Sequence, residues 1–185
     1  MMKSNRWWLF LVLLLVLGGY FLTTRQYNQA PIPRPFLRVD TARLQYIVVH
    51  SPKAKTAHKL IRKNEGWVLA YQDREYPAEP RIAQRILRKL KAFQPDQLVA
   101  RKKAVWPRYG LQPGQAWRVD LLWMEDEERQ VRTLYLGRED IRNKTQAITY
   151  VRRPDDLAVY AVPIYFGADL MENPRALTRN PDALE

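Results

Sequence analysis

Two serines, Ser4 and Ser51, and two histidines, His50 and His58, are the first residues whose chemistry could matter. A hydroxyl nucleophile must meet its base within hydrogen-bond reach. His50 and Ser51 are neighbours in a segment that reads as a strand, and neighbouring strand residues point to opposite faces. Ser4 lies before a long apolar run, apart from both histidines. Two histidines without carboxylates at ligand spacing do not define a metal centre. The acidic runs 125–128 and 155–156 sit where hairpin turns are expected, and acid–base work needs carboxylates that converge in a pocket. The chain has no cysteine, which excludes disulfides, thiolate chemistry and lipidation on cysteine. No metal-protease, phosphate-cradling, dinucleotide-binding or calcium-loop pattern occurs. The sequence therefore predicts no catalytic residue, no cofactor site and no metal site. Asn143-Lys144-Thr145 is a formal glycosylation sequon of low specificity.

The charged residues suggest contact instead. The net charge is +12, and the chain beyond residue 24 holds 29 basic residues against 19 acidic ones. Arg81, Arg85, Arg88 and Lys89 recur at helical spacing, and Arg101-Lys102-Lys103 forms a second cluster. Such a face suits an anionic lipid surface or an acidic partner subunit. Trp67, Trp117 and Trp123 fall at core positions of strands, whereas Trp106 lies in a Pro/Gly-rich loop and is the aromatic expected at a docking surface.

The elements that would position these groups begin with an apolar run at residues 7–22. About 18 residues rising ~1.5 Å each reach ~27 Å, near the hydrocarbon thickness. Trp7, Trp8 and Tyr20 would mark its ends, Lys3 and Arg6 would keep the N-terminus cytoplasmic, and Gly18-Gly19 would allow close helix approach. No small-residue cleavage pattern follows, so a single-pass transmembrane signal anchor over residues 1–24 is expected rather than a cleaved signal peptide. Its orientation places the rest outside the cytoplasm and makes nucleic acid an improbable partner. Residues 25–43 alternate Pro31, Pro33 and Pro35 with other residues and predict an extended linker.

Residues 44–170 predict a small α+β domain of antiparallel strands with one main amphipathic helix. Strands are expected at 44–50, 58–63, 67–71, 117–124, 131–136, 147–151 and 157–162. Pro80 starts the helix, Ile82, Ile86, Leu90 and Phe93 form its apolar stripe, and Pro95 ends it. Gly137 is expected to close a hairpin, and residues 171–185 to form a mobile tail.

The order of several short motifs resembles the bacterial domain of unknown function 4340. They are Trp67-x-Leu69, Pro77-Ala78, Tyr109-Gly110-Leu111-x-Pro113, Leu136-Gly137, Tyr150-Val151-Arg152 and Val159-Tyr160. Glu79 stands where that family often has aspartate, and family members are often longer. The family is often encoded beside auxiliary proteins of gliding-motility-type ABC transporters and brings no catalytic residues. The resemblance implies an accessory subunit of a bacterial envelope membrane complex, anchored in the inner membrane with its domain in the periplasm or outside. Its partners would be membrane subunits of an export or assembly system, with anionic lipid as a further contact. The alternative expectation is a periplasmic lipid- or glycan-binding module of a transport bridge.

Overall fold

A computed structural model describes residues 10–19, 32–53, 57–142, 146–171 and 174–184. The chain divides into two compact units, Met1–Pro31 and Ile32–Glu185. In the first unit, residues 10–19 are helical (α1). Every side chain from Phe10 to Leu17 is apolar, with exposures between 46% and 72%. No helix among the described residues is long and apolar enough to cross a membrane, which corrects the expected transmembrane helix. Trp7, Trp8 and Tyr20, expected at its ends, lie outside the described residues.

The second unit is dominated by a nine-stranded sheet, so the expected small α+β domain is corrected to a mainly antiparallel β architecture. Its strands are β1 (Leu44–His50), β2 (His58–Lys63), β3 (Gly66–Tyr71), β4 (Arg74–Pro77), β5 (Gln97–Ala100), β6 (Trp117–Glu125), β7 (Glu128–Arg142), β8 (Gln146–Arg152) and β9 (Val159–Val162). The order across the sheet is β4-β3-β2-β1-β6-β7-β8-β9-β5, and all neighbours are antiparallel. Two meanders, β1 to β4 and β6 to β9, thus join through β1 and β6, and β5 closes the far edge on β9. Tight turns make this possible. Gln72-Asp73 and Asp126-Glu127 all have positive φ, the geometry that matches the twist of a two-residue hairpin.

The helix α2 (Pro80–Lys91) leaves edge strand β4 and leads to the opposite edge, β5. Proline occupies its first turn, and the Glu79 side chain caps it by accepting from Arg81 N at 3.3 Å. Ala83, Ile86 and Leu90 are buried on its inner face, and Phe93 follows. Residues 174–184, expected as a mobile tail, are docked. Leu177 and Leu184 are buried, Glu79 N donates to Leu177 O at 2.8 Å, and Arg179 N donates to Pro77 O at 3.1 Å. Part of the linker expected over residues 25–43 is also docked, since Phe36 is 5% exposed and meets Tyr160 edge-on at 4.8 Å. Gly137 does not close a hairpin; β7 runs through it with an irregular register between Leu136 and Glu139.

Candidate functional site

Three places gather polar and aromatic groups. The first lies under the segment that follows β9. Glu139 on β7 accepts from Phe166 N at 2.6 Å, Thr149 Oγ1 at 2.8 Å and Gly167 N at 3.2 Å. Burial pushes the Glu139 carboxyl above its ordinary range, against the opposing pull of those donors and of Lys89. Asp169, 2% exposed, pairs with Arg85 and Lys89 of α2, and Lys89 also donates to Tyr165 O. His58 is buried against Leu170, through a backbone hydrogen bond, while its Nε2 has no partner among the described residues. These groups hold one chain segment against another. Both carboxylates bond to other parts of the protein, so the arrangement latches one segment to another.

The second gathers the short motifs that are far apart in sequence. Residues Lys103–Tyr109 form a 3₁₀ turn that ends at Gly110, whose φ of 66° is left-handed. This turn packs on β7 at Gly137, where an added Cβ would overlap Tyr109 O and lie 2.9 Å from Leu111 Cγ. The Arg152 guanidinium is stacked between Tyr135 and Trp106, 3.8 Å and 4.1 Å from their ring centres. Its Nε donates to Leu111 O at 3.1 Å, and burial lowers its pKa from the ordinary arginine value. Planarity lets arginine stack on two rings while it still hydrogen-bonds in its own plane. Trp106 is 6% exposed and donates to Leu157 O at 3.1 Å. It is a core residue rather than the exposed docking aromatic expected from the sequence.

The third is a groove of about 1070 Å³ between the end of the β2–β3 hairpin and the first half of α2. Trp67, Ala83 and Leu87 give it an apolar lining, and Arg62, Lys63 and Arg179 stand at its cationic margin. Trp67, Val68 and Leu87 are only half-buried. Alternation along β3 puts Trp67 and Leu69 on one face and Val68 on the other. Leu69 is fully buried, whereas Trp67, near the start of the strand, reaches the groove.

The residues singled out from the sequence separate under this geometry. Of the α2 stripe, Arg85 and Lys89 turn to Asp169, whereas Arg81 and Arg88 stay exposed. Lys102 and Lys103 are exposed, Arg101 is half-buried, and Lys103 Nζ lies 5.6 Å from the Trp106 ring. Gly18 and Gly19 belong to α1 and face open space. Ser51 Oγ accepts from Lys53 N at 3.2 Å, while His50 Nε2 lies 3.2 Å from Asp120, so the serine and histidine do not form a pair. Among the described residues no group of three metal-type side chains converges. The sequon 143–145 lies outside the described residues. Sequence reasoning missed Asp169, Glu139 and Arg152. The signal available for Arg152 was its place inside a strand, where a charge must find an internal partner.

Comparison with known proteins adds one match. The family described as Domain of unknown function (DUF4340) covers residues 67–180. No curated protein and no solved structure matches the chain.

Proposed function

The chain belongs to the DUF4340 family, and from that premise we propose that it is a non-catalytic accessory or scaffold subunit of a bacterial envelope membrane complex, with an ABC-type export or assembly system as its setting. The observation that carries this reading is the allocation of charge. Glu139, Asp169 and Asp120 are engaged within the protein, whereas the groove beside α2 combines an open apolar lining with cations at its margin. Such a division favours binding over acid–base chemistry. The apolar surface of residues 10–17 favours apolar surroundings and supports association with the envelope membrane; in the proposed setting the sheet domain works on its extracytoplasmic side.

The test is purification of the full chain from native membranes in mild detergent, followed by identification of what accompanies it. Recovery of membrane-complex subunits in fixed stoichiometry is the expected result. Recovery of the chain alone, carrying lipid or glycan, would overturn this reading in favour of a binding module of a transport bridge.

A further inference from the structure

The groove between the β2–β3 hairpin and α2 has chemistry that the fold itself does not use. Trp67 and Leu87 keep part of their apolar surface open to solvent, although α2 and β3 pack together elsewhere. The cations beside them are held in place from behind: Arg62 donates to Ala42 O, and Lys63 pairs with Glu75. Arg179 is exposed and anchored by its own backbone, which donates to Pro77 O. Glu65 is the one acidic side chain among the described lining residues.

We infer that this groove docks a short acidic segment of a partner protein, one that carries large apolar side chains between its carboxylates. The inference rests on the accessory-subunit reading and gives it a recognition chemistry. Three observations lead to it. The groove is large and open rather than enclosed, which suits an extended peptide more than a metabolite. The margin is positive, and the whole chain carries +12, so an acidic segment is attracted at long range as well as at contact. The backbone at the mouth is already paired, since Ala78 N donates to Trp67 O and Glu79 N to Leu177 O. Strand addition at this point is therefore blocked, and recognition runs through side chains. A second copy could offer its own acidic turn at residues 125–128, flanked by exposed Met124 and Val131. Two strongly positive bodies repel each other, however, whereas a foreign acidic segment gains from the same field.

The experiment titrates the full chain in mild detergent into a fluorescein-labelled peptide of about ten residues, alternating glutamate and leucine around a central phenylalanine. A second peptide replaces each glutamate with lysine. The expected result is saturable binding of the glutamate peptide that weakens as salt rises. Leu87→Glu should weaken it at least tenfold, about 1.4 kcal/mol or more. The double variant Arg62→Glu, Arg179→Glu should do the same and should transfer preference to the lysine peptide. Both arginines are exposed, so this double variant keeps the fold, as thermal unfolding will check. Equal binding of both peptides to the unaltered protein, or affinities untouched by these variants, would overturn the inference. So would loss, through the same variants, of binding to phosphatidylglycerol vesicles or of self-association while peptide binding persists. Peptide binding in the groove with no co-purifying subunit would sink the accessory reading alone. Co-purification that survives the groove variants would sink the groove alone.

Discussion

His58 shows what burial does to a single titratable group. It opens β2 opposite Val49, is 5% exposed, and has its pKa lowered from 6.5 to about 4, chiefly by desolvation and further by His50, against the hydrogen bond with Leu170. Above pH 6.5 the ring is neutral in both folded and unfolded chains, and its contribution to stability is fully present. Below that value the unfolded chain takes up a proton that the folded chain refuses, so stability falls with pH until about pH 4. The loss amounts to about 3 kcal/mol, because each tenfold drop in proton affinity is worth about 1.4 kcal/mol. Urea unfolding at pH 7.5 and pH 4.5 should reveal it, and His58→Leu should flatten the dependence by that amount. An unchanged pH dependence in the variant would remove His58 from the account. The sequence marks this residue as a chemical candidate because histidine is rare here. Alternation along β2 could place it inward beside Leu60. Its cover, Leu170, comes from the other end of the chain, and no local pattern reveals that.

At the scale of elements, the legible parts are those with strong local signals. The alternation in β1 and β2 and the stripe of α2 match the structure, because each buries one face, whereas β6 is buried on both faces from Val119 to Trp123. Strands β4 and β5 leave no such signal. Each has four residues, and β4 reads Arg-Glu-Tyr-Pro, which carries no apolar alternation. Edge strands of this kind are defined by the neighbour they pair with. Gly137 suggests a turn in the sequence because glycine usually punctuates; in the fold it permits a 3₁₀ turn to approach β7. Its own φ is not in the left-handed region, so the backbone would accept alanine, and the cost of Gly137→Ala is steric alone. The obstacle is the carbonyl of Tyr109, held where the Arg152 stack and Leu111 pack, and it yields less than a flexible side chain would. We expect a loss of about 2–3 kcal/mol, with a change in the near-UV signal of the Tyr135, Tyr109 and Trp106 cluster. Gly66→Ala is the contrast. A Cβ there meets nothing within 4 Å, and only its φ of 130° opposes it, which isolates backbone strain from crowding. Equal stability of Gly137→Ala and the unaltered protein would mean that the turn can lift off β7 freely.

For the molecule as a whole, the decisive feature is that the chain passes from one side of the sheet to the other twice. Residues 78–96, including α2, lead from β4 to β5, and residues 163–184 return from β9 to the end of β4. The two crossings meet where Asp169 takes Arg85 and Lys89. Neither the strand order nor this return was legible in the sequence, because both depend on pairings between residues far apart along the chain. The closing residues look polar and proline-rich, yet Leu177 and Leu184 supply the few apolar anchors needed to dock them. Removing residues 174–185 therefore takes away more than an end. It strips Leu177 from its site and frees Glu79 N and Pro77 O, while the Asp169 latch stays in place. Loss of the Leu177 side chain alone should cost about 2–5 kcal/mol. The damage should be uneven: amide exchange should quicken first in β3, β4 and the opening turn of α2, with β6 to β9 protected until global unfolding. A uniform rise in exchange across both meanders would show that the two halves of the sheet unfold as one unit. Unchanged exchange at Ala78 and Glu79 would show that the return crossing adds nothing to the edge it covers.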